Sequence, residues 1–417
     1  MTAPYDAWST PERTALRESV TRFVRTEVLD NLPRWEDEGE IPRTLHKAAA
    51  AAGLLGIGFP EDVGGEGGDV VDISVVTEAI IESGGSSGLI AALYTHGIAL
   101  PHIVAAARNE QSVEAHGANP TEQSASLVER YVRPTLAGEK IGSLGVTEPG
   151  GGSDVANLRT RAVRDGDTYV VNGAKTFITS GVRADFVTTA VRTGGDGYGG
   201  ISLLVVDKGT PGFTVASPLR KMGWHCSDTA ELAFDDARVP VANLVGEENG
   251  GFVLVMQQFV NERLSLAVQA YATAQRSLDL TVAYARERET FGRPLAGRQV
   301  IRHKLVEMHR ATVTARAYTR QVVERAALAS EQARAAAATA GESGIDPMRL
   351  AADAAVAKND AVAACDFVVD EAVQIHGGMG YMRESEVERH YRDSRILGIG
   401  GGATEVMNDL IAKILGF

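Results

Sequence analysis

Cysteine is scarce in this chain: Cys226 and Cys365 are the only two among 417 residues. Two thiols make no disulfide framework and are too few for a structural zinc site, so both are expected to stay reduced and no metal is expected. Long apolar runs are missing too. No stretch reaches the roughly 18 residues that a membrane-spanning helix needs. Residues 1–14 mix charge with polarity and lack the apolar centre of a secretory signal. A cytoplasmic protein that meets no membrane is the expectation. Basic charge is in deficit, with 41 Lys plus Arg against 54 Asp plus Glu and a formal net charge of −13. Nonspecific nucleic-acid binding depends on neutralising phosphates, so the deficit argues against a nucleic-acid partner. It leaves room for a local basic pocket that takes a phosphorylated ligand.

What is present suits a globular protein of two or three domains, with 44% apolar and 23% charged residues. Residues 1–140 read as helices, at 11–28, 41–52, 70–83 and 86–107. The first opens on a Ser-x-x-Glu capping box at Ser9–Glu12, with Pro11 near the first helical position. Residues 141–245 favour strands. Asn172-Gly173 between the apolar runs 168–171 and 175–178 predicts a hairpin turn; further strands are expected at 185–192, 201–206 and 231–234. From Phe252 apolar or small residues recur in steps of three and four through Ala285, the stripe of one long helix. Two more long helices are expected at 300–338 and 350–372, with a loop at 341–347. The layout is α+β and multidomain: helical domain 1–140, β domain 141–245, helical bundle 246–417.

Several segments carry chemistry in their residue types. The run Leu144-Gly145-Val146-Thr147-Glu148-Pro149-Gly150-Gly151-Gly152-Ser153-Asp154 combines three glycines, which let a backbone approach a ligand, with hydroxyls that can bond a polar ring edge. On its own such a run is more often a flexible loop. Phe177-Ile178-Thr179-Ser180-Gly181 follows, and Phe177 by itself reads as a β-core aromatic. Arg288-Glu289-Thr290-Phe291-Gly292, with Gln299 downstream, offers a guanidinium fork suited to phosphate oxygens. Its plainer reading is a solvated helix-end charge. Gln374-Ile375-His376-Gly377-Gly378 brings two adjacent glycines, and His376, lacking a second ligand, is assigned no catalysis.

Together, in order and spacing, these segments resemble the acyl-CoA dehydrogenase family over nearly the whole chain. The resemblance implies a helical N-terminal domain, a middle β-barrel and a C-terminal four-helix bundle. It also implies FAD, contacted by Leu144, Val146, Thr147, Gly152, Ser153, Phe177, Ile178 and Thr179. Arg288, Thr290, Phe291 and Gln299 would reach the pyrophosphate and adenosine across a subunit boundary, with Gln374, Gly378, Ala403, Thr404 and Glu405 completing the site. A homotetramer, an acyl-CoA substrate and an electron-transfer flavoprotein as acceptor follow from the same likeness.

The last motif departs from the usual pattern. Many family members carry a catalytic Glu where this chain has Gly401. A subset, the long-chain and isovaleryl-type enzymes, places the base on the long helix after the β domain, and there this chain has Glu262. The run Lys221–Leu232 is also most similar to long-chain members. Glu262 is therefore the expected base, with the Gly401 N–H as a donor to the enolate oxygen. Ser153, Arg263 and Gly402 are expected on the substrate side, although a helix salt bridge serves Arg263 equally well by position. Gly400 and Ala403 stand where larger residues are common, which leaves one flavin hydrogen bond missing or supplied by Thr404. The reaction implied is α,β-dehydrogenation of an acyl-CoA to a trans-2-enoyl-CoA. An oxidase or monooxygenase of the same fold, and a non-catalytic flavoprotein scaffold that binds DNA or a protein partner, are the alternatives.

Overall fold

A computed structural model of the chain describes residues 6–114, 122–339 and 344–417. Part of the loop expected at 341–347 lies outside those residues. The first helix, α1 (Pro11–Phe23), is capped one residue later than the sequence pattern suggests. Thr10, not Ser9, accepts from the N–H of Arg13, while the Ser9 hydroxyl turns back to Asp6. Beyond Phe23 the helix widens into a π turn, Val24–Val28. Then come α2 (Leu32–Glu38), α3 (Arg43–Ala51) and α4 (Val70–Glu82). Asp69 and Asp72 close a reciprocal capping box on α4, which satisfies two otherwise orphaned N–H groups.

The single helix expected at 86–107 is three: α5 (Ser87–Leu93), α6 (His96–Ala99) and α7 (Pro101–Glu114). Pro101 lacks an N–H and cannot continue the preceding turn. The Thr95 hydroxyl at the other break donates to the carbonyl of Ala91 and meets Ser180 of the β domain at 2.7 Å. Two short helices, α8 (Glu122–Leu127) and α9 (Arg133–Leu136), finish this region.

Eight strands follow: β1 (Gly142–Gly145), β2 (Arg161–Asp165), β3 (Thr168–Thr179), β4 (Phe186–Arg192), β5 (Ile201–Asp207), β6 (Phe213–Pro218), β7 (Thr229–Pro240) and β8 (Leu244–Val245). Their order is β6-β7-β3-β2-β4-β5-β8, with β1 joined to β4. These strands form the middle sheet domain that the resemblance implies; β2 meets β4 at one residue pair, Arg161 with Arg192. The hairpin expected at Asn172-Gly173 is absent. Residues 168–179 form one long strand with a register shift against β7 at that point. Asn172 exchanges two hydrogen bonds of 2.9 Å with Asp236 across the sheet. Gly173, at φ +147°, lies where a Cβ would stand 2.6 Å from Thr160 Oγ1. Its glycine serves a close approach inside the sheet instead of a turn.

The C-terminal region is built from three long helices, α10 (Gly251–Glu287), α11 (Gln299–Thr339) and α12 (Pro347–His376). Shorter α13 (Glu386–Ser394) and α14 (Thr404–Leu415) pack along α12. The start of α10 reaches the β domain, where Leu254 and Val255 share a core with Leu203, Val205 and Val245. Its middle is buried among helices.

One buried carboxylate ties the two helical regions together. Glu78 on α4 has no solvent exposure and accepts from Arg17 of α1, Tyr271 of α10 and Arg320 of α11 at 2.6, 2.6 and 2.7 Å. Burial pushes its carboxyl up, but Arg320, Arg316, Tyr271 and Arg17 outweigh that and hold it below its usual 4.5. A depressed carboxylate contributes stability above its unfolded pKa and loses it as pH falls through the folded value. Glu78→Ala should therefore cost roughly 3–5 kcal/mol in denaturant melts at neutral pH. The gap between the variant and the parent should narrow below pH 4.5, the usual Glu value; a constant gap contradicts this account.

Candidate active site

Where α10 leaves the β domain, its faces divide sharply. Asn261 is exposed, Glu262 half-buried and Arg263 buried. Opposite Glu262 runs the turn 399–403, which follows the short helix Arg395–Gly398. Gly401 and Gly402 adopt φ of +63° and +99°, a conformation that costs a side-chain-bearing residue about 1–2 kcal/mol. A Cβ built on Gly401 would stand 3.6 Å from Glu262 Oε1 and 2.4 Å from Leu266 Cδ1. The carboxylate of α10 thus borders the volume that a side chain at 401 would fill, and Leu266 closes most of the rest.

The charges here are held under tension. Burial raises the Glu262 carboxyl above its usual range, while Arg263 and Lys358 pull it back. Burial depresses the Arg263 guanidinium, opposed by Glu262. Arg263 lies 5.2 Å from the Phe259 ring, and its Nε has no hydrogen-bond partner. Lys358, fully buried on α12, donates from Nζ to the carbonyl of Gly402.

A second cluster shapes the 144–153 segment. Leu144 lies in β1, paired with Thr188 of β4. Lys175, fully buried, donates to the carbonyl of Val146 at 3.1 Å and to Glu148 Oε1 at 2.8 Å. Glu148 also accepts from the N–H groups of Arg159 and Thr160. Burial lowers Lys175 to about 8, against the pull of Glu148. The Thr147 hydroxyl donates to the carbonyl of Thr176, so its proton is already committed. Gly150 and Gly151 face open space, and Gly152 and Ser153 are exposed.

Beside this segment Phe177 is 70% exposed and held at φ +61°. It is not a core aromatic. The register shift between Lys175 and Ile178 turns it outward, and such strain in a bulky residue marks a constrained surface. Ile178 points the other way, into the core with Ala230 and Leu232, leaving its main chain for a ligand. The carbonyl of Thr179 accepts from Ser143.

The remaining residues gather elsewhere. Tyr284 stacks on His376 at 4.3 Å, bringing the ends of α10 and α12 together. Arg288, Gln299, Gln374 and Gly378 are exposed there. The Thr290 hydroxyl accepts from Arg298, whose guanidinium lies 5.3 Å from the ring of Phe291, itself 96% exposed. From Glu262 the helix runs 25 residues further, to Glu287, or about 38 Å, and Arg288 follows. One chain therefore holds these two groups at opposite ends of its bundle. Ala403 caps α14, Glu405 is exposed in its first turn, and the Thr404 hydroxyl donates to the carbonyl of Gly398 at 3.3 Å.

Residues 10–114, 143–237 and 249–416 match the N-terminal, middle and C-terminal domains of acyl-CoA dehydrogenases. The chain belongs to the acyl-CoA dehydrogenase family. The rat mitochondrial long-chain specific acyl-CoA dehydrogenase is 35% identical over 96% of this chain and 86% of its own. A crystal structure of a probable acyl-CoA dehydrogenase from Mycobacterium abscessus is 64% identical, with a TM-score of 0.88 over 98% of this chain and all of that one. An acyl-CoA dehydrogenase from Bacillus anthracis, solved with FAD, is 28% identical, with a TM-score of 0.82 over 98% of this chain and 67% of that one.

Acyl-CoA dehydrogenases are FAD-dependent oxidoreductases, and the residues of this member fit the cofactor. Exposed Phe177 offers apolar surface for a ring, and the bare glycines of 150–152 permit a close backbone approach. Sequence reasoning missed Lys358, Lys175 and Leu266. A lysine at the edge of the small apolar stretch 354–357, which resumes at 361–364, was the available signal for Lys358. Glu148→Ala should strip the ion partner from buried Lys175, costing about 3–5 kcal/mol and lowering the flavin-to-protein absorbance ratio. A Glu148→Ala/Lys175→Met pair should regain part of the stability; a single variant with full FAD content contradicts the role given to this pair.

Proposed function

We propose that this acyl-CoA dehydrogenase converts an acyl-CoA thioester to its trans-2-enoyl form, with Glu262 as the base that removes the α-proton. The observation that carries the reading is the 3.6 Å between Glu262 Oε1 and the vacant side-chain position of Gly401. The α-hydrogen of a thioester is a weak acid, so its base must be desolvated and raised in pKa. Glu262 meets that need through burial. The developing enolate oxygen needs a donor already in place, which the Gly401 N–H provides. Arg263, Gly402 and Ser153 line the substrate side, with Arg263 supplying positive charge near the thioester. FAD, when bound, supplies at N5 the acceptor for the β-hydride, chemistry that no side chain offers.

Glu262→Gln should retain FAD and lose roughly 10²–10⁴-fold in the rate of anaerobic flavin bleaching by acyl-CoA. Bleaching at the parent rate would remove Glu262 from this role. Because only the ionised carboxylate can accept the proton, kcat/KM should fall on the acid side. Its midpoint should lie above the ordinary Glu value of 4.5.

The assembly we propose is a homotetramer with FAD sites shared between copies. The separation along α10 supports this: about 38 Å of helix lies between Glu262 and Glu287, so one copy's own Arg288 lies far from its Glu262. Glu262→Gln and Arg288→Ala chains, each impaired alone, should regain activity when co-expressed, because a mixed pair rebuilds one intact site. No recovery in a verified mixed oligomer would contradict sharing. An electron-transfer flavoprotein as the acceptor and a cytoplasmic setting complete the proposal.

A further inference from the structure

The turn 399–403 is built almost entirely without side chains of its own. Gly400, Gly401 and Gly402 have no preferred conformation to hold it, so its shape must come from its neighbours. Two consecutive residues of α12 supply that hold. Lys358 donates from Nζ to the carbonyl of Gly402. Asn359 donates from Nδ2 to the carbonyl of Thr404 at 3.1 Å and to Asn408 Oδ1 at 2.9 Å. Within the turn, the Gly400 N–H bonds back to Ile396 at 2.8 Å.

Lys358 is an expensive choice for such a clasp. It is 0% exposed, and its ammonium meets a carbonyl instead of a carboxylate. A buried cation without close ionic pairing is costly. A neutral donor would suffice if holding the carbonyl were the whole task. The charge has a second address. The ionisable groups that act on Glu262 are Arg263 on its own helix and Lys358 across the pocket, while the turn between them has no ionisable side chain. Burial lowers Lys358 to about 8, Arg263 adds to that, and Glu262 opposes it. At neutral pH the lysine is still mostly charged.

We propose that Lys358 is a positioning residue for this reaction: its ammonium pins the Gly402 carbonyl, fixing the turn that carries the Gly401 N–H, and sets a positive charge beside Glu262. The inference rests on Glu262 being the base. Its loss would leave the turn free to rotate away and the carboxylate protonated at higher pH.

The test uses the FAD-loaded protein in three variants, Lys358→Met, Lys358→Arg and Glu262→Gln. One readout is the pH profile of kcat/KM. The other is the charge-transfer absorbance formed with a 3-thia analogue of the acyl-CoA that bleaches the parent best. Sulfur at the β-position lets such a compound lose its α-proton but not a hydride, so the band reports enolate formation alone. Lys358→Met should keep its FAD, move the acid limb up by about one pH unit, and weaken the band. Lys358→Arg, which keeps the charge, should leave the acid limb near that of the parent. An unmoved limb and full band in Lys358→Met would overturn the proposal, as would an equal shift in Lys358→Arg. Should Lys358→Met fail to accumulate with FAD, Lys358→Gln carries the same expected shift, and an unmoved limb there overturns the proposal equally. Glu262→Gln separates the two claims. Bleaching at the parent rate in that variant defeats the base assignment, whereas its loss beside an unmoved limb in Lys358→Met defeats only the lysine.

Discussion

Helix α10 comes so close to the turn 399–403 that position 401 can carry no side chain. A Cβ there would clash with Leu266 Cδ1 at 2.4 Å and stand in ordinary contact, 3.6 Å, with Glu262 Oε1. The backbone of Gly401, at φ +63°, is in a region where glycine alone is unstrained. The base proposed on α10 and the glycine on the turn are therefore two sides of one packing constraint. A carboxylate on the long helix has a rigid, many-turn support, while a glycine turn can approach a ligand with its main chain. The division places the acid–base group on the stiff element and leaves the backbone donor on the adaptable one.

Buried charge is used repeatedly to fix loops and domains that apolar packing alone would leave loose. Glu78 joins four helices from two regions, Lys175 and Glu148 shape the glycine-rich segment, and Lys358 clasps the 399–403 turn. Each cation or carboxylate costs desolvation, and each recovers it by bonding groups that would otherwise be unpaired. At the candidate active site, burial raises the Glu262 carboxyl above its ordinary range and lowers the Lys358 ammonium below its own.

Much of the fold was legible because period is a strong signal. The steps of three and four after Phe252 mark α10 to within a few residues, and the change to strand-forming runs after residue 140 marks the β domain. The failures share a cause: local chemistry was overridden by tertiary contacts. Asn172-Gly173 has the residues of a hairpin turn, yet cross-strand pairing with Asp236 and the approach of Thr160 keep the strand running. Ser9 offered a cap, but Asp6 took its hydroxyl. At the site, Glu262 and Gly401 were connected through family resemblance, since nothing local relates residues so far apart in sequence. Lys358 went unseen because its importance comes from a carbonyl donated by another element. Phe177 illustrates the converse: alone its context fits a core strand, yet the bulge turns it outward, on the side where the family resemblance expects the flavin.

Proton removal at the α-carbon can be watched without any electron transfer. With the 3-thia analogue in D2O, exchange of the α-hydrogens followed by NMR reports the base directly. The account predicts exchange catalysed by the FAD-loaded parent and exchange near the uncatalysed rate with Glu262→Gln. Exchange by that variant at the parent rate would show that another group takes the proton, and would contradict the assignment of Glu262.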